Sequence, residues 1–381
     1  MPHMITGTDS RKKLLIDPGP VPMRLLLSLA LFLPLLAQQP GSSIHWKDVR
    51  DLRVEGQGWK DTQDPFDRFP ARAETSVRKP VWDLSRDSAG LAVRFATNAA
   101  TIHARWTLRK ERLAMPHMPA TGVSGLDLYV KLPTGWHWVA NGRPEKTTNE
   151  QVLLKNWPGG SREYMLYLPL YNGVTSVEIG VPPEATIESA PARSTDVRPV
   201  VFYGSSILQG GCASRPGMAY PSIVGRRLDW PTINFGFSGN GKSEPEIATL
   251  FAELDPAVYV YDSLPNLSVE EARERVEPFL RVLRKSHPKT PIVLVENAIY
   301  ADVQFSEQRR MLIAEKNRIL RTVHDKLRKE GDKNLYYVPA GKLYGSDGEA
   351  TVDGTHATDL GFIRMADTIA PVLKPLLKRR R

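Results

Sequence analysis

From Arg198 onward the chain repeats one pattern, a short and nearly continuous apolar run followed by a helical stretch. The runs are VVFYG, TINFG, AVYVYDS, PIVLVENA and NLYYVPA. Between them lie AYPSIVGRRL, PEIATLFAEL, SVEEARERVEPFLRVLRK and MLIAEKNRILRTVHDKLRKEG, and a last helix is expected after Thr358. A strand that is apolar on both sides needs cover on both, so runs of this kind alternating with helices form a parallel sheet. Right-handed crossovers then lead to a doubly wound, three-layer α/β/α sandwich of flavodoxin-like order. Ser268-Val-Glu-Glu271 is a capping box that marks one helix start.

In such sheets ligands bind beyond the carboxyl ends of the strands. The first run ends in Gly204-Ser205-Ser206, and the second in Gly236-Phe-Ser238-Gly239-Asn240. The third ends in Asp262-Ser-Leu-Pro-Asn266 and the fourth in Glu296-Asn297, while Asp353-Gly-Thr-His356 follows the fifth. The topology therefore gathers a serine, an Asp–His pair and several hydrogen-bond donors at one edge. That set suits acyl transfer. A hydroxyl needs a base, imidazole titrates near neutrality, and a carboxylate fixes its tautomer. The oxyanion of the tetrahedral intermediate needs donors placed in advance. Serine is also a favoured helix N-cap, so Ser205 and Ser206 carry a structural reading as well. Asp262 reads as a strand-end turn residue, with no catalytic role.

At these positions the chain resembles the SGNH hydrolases, also called GDSL-type esterases. The resemblance covers roughly 198–377 and implies Ser206 as nucleophile, with Asp353 and His356 completing the triad. It also implies an oxyanion hole built from the Ser206 N–H, Gly239 and Asn266. Ser205 stands where the family has aspartate, and DSLPN where it has Gly-x-Asn-Asp. GLDLYVK and EYMLYLPLYNGVTSVEIGV are similar to the GxDLY-type sandwich that precedes one bacterial branch of these esterases.

Upstream, from Trp46 to Val181, the segments LAVRFATNAATIHARWTL, GLDLYVKL, HWVANG, EYMLYLPLY and TSVEIGV alternate apolar and polar residues. Turn signals such as Asn-Gly and Pro-Thr-Gly separate them, which leads to an all-β, jelly-roll-like sandwich. Seven of the eight tryptophans fall in this half, and core packing is the reading for most of them. The expected division is an upstream segment and signal peptide over 1–37, a sandwich over 43–182, a linker over 183–197 and a catalytic domain over 198–379. Asp127, Glu296 and Asn297 are the candidates for holding substrate.

MRLLLSLALFLPLLAQQP, from Met23, is too short to span a bilayer comfortably and suits a signal-peptide h-region. An exported protein is expected, periplasmic or extracellular, with no stable membrane insertion after cleavage. The net charge is +9, and the first 37 residues carry four basic against two acidic side chains. No run interleaves basic with aromatic residues, so no nucleic-acid partner is expected. A single cysteine, Cys212, excludes an intramolecular disulfide. GSSILQGG lacks the Gly-Lys-Ser/Thr ending of a phosphate loop, and His103, His117 and His137 lack metal-like spacing. Neither cofactor nor metal is expected. The resulting expectation is a serine esterase that deacetylates a carbohydrate. A lipid or short-chain ester hydrolase is the alternative within the class, and a carbohydrate-binding protein with a disused esterase fold the alternative outside it.

Overall fold

Three sheets are built by residues 43–377, the part of the chain that the computed structural model describes. The expectations for 1–37, and the last two residues of the expected catalytic domain, lie outside the described residues. A four-stranded antiparallel sheet runs β1 (His45–Asp48), β9 (Val174–Val181), β4 (Ile102–Leu108), β7 (Thr148–Leu154). A six-stranded antiparallel sheet runs β10 (Ile187–Ser189), β3 (Ala92–Thr97), β8 (Arg162–Tyr167), β5 (Leu126–Leu132), β6 (Gly135–Gly142), and β2 (Arg53–Glu55) shares the β3 edge with β10. Val93, Phe95, Leu128 and Leu166 of one sheet meet Ala104, Trp106, Val177 and Ile179 of the other in one buried core. This is the expected sandwich.

Pro133 and Thr134 turn between β5 and β6, and Asn172-Gly173 lies in the connection between β8 and β9, as the turn signals predict. Asn141-Gly142 lies inside β6, and a Cβ on Gly142 would sit 3.0 Å from the Trp106 ring. One reading in this half needs correction: the segment 183–197 is not a plain linker. Ile187–Ser189 forms an edge strand on β3, and Arg193 bonds Glu55 and the Asp229 carbonyl.

The second half holds β11 (Val200–Gly204), β12 (Thr232–Gly236), β13 (Val258–Asp262), β14 (Ile292–Val295) and β15 (Leu335–Val338). They pair in parallel in the order β12-β11-β13-β14-β15, the flavodoxin-like order. Its helices follow two short ones in the first half, α1 (Lys79–Ser85) and α2 (Ala120–Val123). They are α3 (Ser206–Gln209), α4 (Tyr220–Leu228), α5 (Pro245–Phe251), α6 (Val269–Ser286), α7 (Glu307–Lys329) and α8 (Asp359–Leu373). The predicted capping box on α6 is formed in both directions between Ser268 and Glu271.

Side-chain alternation splits each parallel strand between two layers. Val200 and Phe202 face Ile207, Tyr220, Phe362 and Ile369 from α3, α4 and α8. Val201 and Tyr203 face Phe251, Phe279 and Leu320 from α5, α6 and α7. That second layer also contains Trp59, Phe69, Val81 and Trp82 from the segment between β2 and β3. Two of the sandwich-half tryptophans therefore belong to the core of the parallel sheet. The described residues, 43–377, belong to one compact unit rather than two. The outer face of β5 and β8 supplies the contact, with Tyr129 and Tyr167 under the Arg226 guanidinium of α4, 3.9 Å from the Tyr129 ring centre. Among the described residues no helix is long and apolar enough to cross a membrane.

Candidate active site

The carboxyl end of β11 runs directly into α3, and the two serines at this junction have different tasks. Ser205 is the N-cap, its Oγ accepting the Ile207 N–H at 3.2 Å, and it is fully buried. Ser206 is the first helical residue, and its Oγ lies 2.9 Å from His356 Nε2. His356 Nδ1 in turn lies 2.7 Å from Asp353 Oδ2. Asp353 Oδ1 accepts the backbone N–H of His356 at 2.8 Å and of Thr355 at 3.0 Å. Partial burial raises the Asp353 pKa, but these hydrogen bonds from His356 and Thr355 outweigh it and lower it to about 2. The carboxylate is thus ionised wherever the imidazole needs an orienting acceptor.

The loop carrying Asp353 and His356 is braced on several sides. Val352 donates its N–H to the His356 carbonyl at 2.8 Å, and the Tyr344 hydroxyl donates to Thr355 O at 3.0 Å. Gly354 takes φ +85°, and Arg309 bridges Asp302, at 2.6 Å, to the Thr355 hydroxyl. A relay of hydroxyl, imidazole and carboxylate is therefore held ready at the sheet edge where ligands bind.

The expected oxyanion donors approach from the two neighbouring strand ends. Phe237 donates its N–H to the Gly204 carbonyl at 3.0 Å, which brings the loop after β12 beside Ser206. Asn266 Nδ2 donates one hydrogen to the Phe237 carbonyl at 3.0 Å, fixing the amide plane and leaving its second hydrogen for another acceptor. The N–H groups of Ser206 and Gly239 have no protein acceptor among the described residues. Gly239 is exposed at φ +69°, a conformation that favours glycine. Gln209 steadies this loop, accepting the Ser238 N–H at 2.9 Å while donating to the Leu170 carbonyl at 3.0 Å. Asp262 is buried below, accepting from the Tyr220 hydroxyl at 2.8 Å. Burial raises its pKa to about 7, against that hydrogen bond.

Three expected substrate-binding residues are not at the site. Asp127 is fully buried at the joint between the two halves, accepting from Arg215 and the Gly217 N–H at 2.8 Å each and from Trp138 Nε1 at 2.9 Å. It is a joint residue, with no face left for a sugar. Glu296 accepts from Arg321 at 2.6 Å, the Tyr337 hydroxyl at 2.6 Å and the Ala340 N–H at 2.7 Å. Asn297 is fully buried, and its amide donates to the Ala298 carbonyl at 2.8 Å. Both lock β14 to its neighbours, and neither is presented to solvent.

The sandwich half reaches the site through other residues, which sequence reasoning missed. The Tyr171 hydroxyl donates to the Ser206 carbonyl at 3.1 Å, and the His117 ring lies 5.6 Å from the His356 ring. Helix α2 holds this arm in place, with Thr121 Oγ1 donating to the Ser214 carbonyl at 2.6 Å. Arg68 is buried, donating to the carbonyls of Asn234 and Gly236 on β12 at 2.9 and 2.8 Å. Burial lowers its pKa to about 10. None of these side chains has a local sequence signal, because each acquires its partner only through the packing of one half on the other.

Comparison with known proteins agrees with this architecture. The model of the GDSL-like lipase/acylhydrolase family matches residues 197–374, and that of the N-terminus of SGNH-hydrolase-type esterases matches 44–187. No curated protein matches this chain. Among solved structures, a protein of Bacteroides ovatus named as a GDSL-like lipase is 36% identical with a TM-score of 0.83, covering 89% of this chain and 99% of its own. A salicylyl-acyltransferase from a tetracycline biosynthetic pathway shares the fold at 18% identity and a TM-score of 0.71, covering 88% and 99%. A family two carbohydrate esterase from Cellvibrio japonicus shares it at 14% and 0.57, covering 88% and 98%. With its relay at the strand ends and its sandwich in front, the chain belongs to the GDSL-like, or SGNH, family of lipases and acylhydrolases, in the branch that begins with a GxDLY domain.

Proposed function

We propose that this esterase is exported and removes acetyl groups from a carbohydrate, with Ser206 as nucleophile, His356 as base and Asp353 as its orienting partner. The observation that carries the chemistry is the unbroken hydrogen-bonded line from Ser206 Oγ through His356 to Asp353. Ser206 Oγ attacks the ester carbonyl as its proton passes to His356 Nε2. The oxyanion takes the N–H groups of Ser206 and Gly239 and the free hydrogen of the Asn266 amide. Collapse returns the proton to the leaving alcohol, and water releases the acyl group by the same steps in reverse.

The carbohydrate reading is supported by the site's margin. Ser238, Gly239, Asn240 and Asn266 on one side and Thr355 on the other are all at least partly exposed, which suits a hydroxyl-rich substrate. The two-part fold is also one that a carbohydrate esterase uses. Export is supported by the signal-like run from Met23. A second reading rests on Phe305, Val352 and Ile299, which are 85%, 48% and 46% exposed around the Asp353 loop. Apolar residues there favour a longer acyl chain or a lipid.

One panel separates the two. Acetate release from acetylated polysaccharides is measured beside hydrolysis of activated esters of increasing acyl length, with Ser206→Ala as control. Deacetylation of a glycan, with acetyl the preferred acyl group, is expected. Preference for long acyl chains with no acetate release overturns the carbohydrate reading in favour of the lipid one.

A further inference from the structure

Beside the relay, and sharing His356 with it, one side-chain cluster converges on a single point; its other two members, His117 and Cys212, have no part in ester hydrolysis as described. His117 comes from the turn before α2, Cys212 from the loop after α3, and His356 from the loop before α8. One potential ligand atom from each lies within 4.8 Å of the other two. The donor set, two imidazoles and a thiol, is that of borderline-soft divalent cations such as zinc rather than magnesium or calcium.

We propose that these three side chains form an inhibitory site for zinc-like divalent cations, which shuts off the esterase by occupying its base. The inference rests on His356 being that base.

Geometry permits closure with little movement. In a tetrahedral zinc site with Zn–N bonds of about 2 Å, two imidazole centres stand roughly 5 Å apart. The His117 and His356 rings are 5.6 Å apart and inclined by 53°. His117 is exposed, so its ring can rotate toward the cation at small cost, whereas Cys212 is buried behind the site. Cys212 also holds a left-handed backbone, φ +74°, which is uncommon for a side-chain-bearing residue and fixes where its Cβ leaves the chain.

The consequence follows from the lone pairs. His356 Nδ1 is committed to Asp353 at 2.7 Å, so the neutral ring has its lone pair on Nε2, where the Ser206 hydroxyl now donates. A cation held by all three residues takes that lone pair. Ser206 then has no proton acceptor. On binding, the Cys212 thiol gives its proton to solvent as the sulfur–metal bond forms, and the cation's bound waters leave; no oxidation state changes.

The test uses the full chain and an activated acetyl ester. Zinc sulfate is titrated into the assay, then a chelator is added in excess. The expected result is loss of activity at micromolar zinc, recovered on chelation, with His117→Ala and Cys212→Ser each raising the half-inhibitory concentration at least tenfold at unchanged basal rate. His117→Ala removes an exposed side chain and keeps the test available if Cys212→Ser fails to fold. Cobalt, as a spectroscopic substitute, should give a thiolate-to-metal absorption band in the full chain that Cys212→Ser lacks. Undiminished activity at 100-fold excess zinc over enzyme overturns the proposal. So does equal zinc sensitivity in His117→Ala, which places the cation on His356 without the cluster. Failure of the esterase reading appears separately, as no hydrolysis before zinc is added.

Discussion

At the scale of single residues, the division of labour between Ser205 and Ser206 is open to direct measurement. Ser206→Ala removes the hydroxyl that is hydrogen-bonded to His356 Nε2 and should lower ester hydrolysis by roughly 10⁴-fold or more at an unchanged melting temperature. Ser205→Ala removes a cap, so it should cost about 1 kcal/mol of stability and leave the rate within a few-fold. Rates and melting curves of both variants check the assignment, and the reverse pattern exchanges the two roles. Asp262 gives a second test. Its folded pKa, raised by burial to about 7, exceeds the unfolded value near 4, so the folded state keeps a proton that the unfolded chain loses. The stability this contributes is complete below about pH 4 and is lost as the pH rises through about 7. Asp262→Asn mimics the protonated form, so urea midpoints should show it more stable than the parent at pH 8, with the gap closing toward pH 5. The juxtaposition of Ser206, Asp353 and His356 was legible in the sequence because Ser206 follows the end of β11 and the other two lie in the loop between β15 and α8, which the topology brings to the same sheet edge. Asp127, Glu296 and Asn297 were misplaced because a strand-end or strand-centre polar residue reads the same whether it meets solvent or a buried partner.

Secondary elements show the same limit from another side. Nearly continuous apolar runs revealed every strand of the parallel sheet, which is covered on both faces, and helical apolar patterns revealed α4 to α7, with α8 expected after Thr358. They did not reveal α1, nor that the segment around it covers β12, because Trp59, Phe69, Val81 and Trp82 follow neither a helical nor a strand period. The contact is pinned by Arg68, whose guanidinium donates to main-chain carbonyls at Asp87, Leu84, Asn234 and Gly236. Arg68→Met leaves these carbonyls without their donor, at roughly 1–3 kcal/mol for each that stays buried. We expect a melting temperature lowered by many degrees. We also expect a reduced kcat from any folded fraction, because Gly236 leads directly into the loop that carries Gly239. Arg68→Lys keeps the charge but offers one point donor in place of a fork, so it should recover only part of the loss. A wild-type melting curve for Arg68→Met refutes this account of how the first half holds the second.

For the whole molecule, the sequence divides into two grammars, and the natural inference is two separable domains. Packing argues otherwise. A fragment starting at Arg198 loses Trp59, Phe69, Val81 and Trp82 from one layer of its own sheet, and Arg68 from its β12 edge. It also loses Tyr129 and Tyr167, which lie under Arg226, and the Asp127 carboxylate that accepts from Arg215. Burying apolar surface contributes about 25 cal/mol per Å², and four large side chains of this kind carry roughly 1.5–3 kcal/mol each. Such a loss is comparable to the whole stability of a typical domain, about 5–15 kcal/mol. The fragment 198–377 should therefore be aggregated or molten, and inactive even on a small activated ester. A chain that begins at Ser43 should instead melt cooperatively in a single transition and be fully active. Expression of both pieces, followed by calorimetry and the same ester assay, decides the matter. A soluble, active fragment 198–377 would show that the sheet can do without its borrowed cover, and the sandwich would then return to being a separable domain.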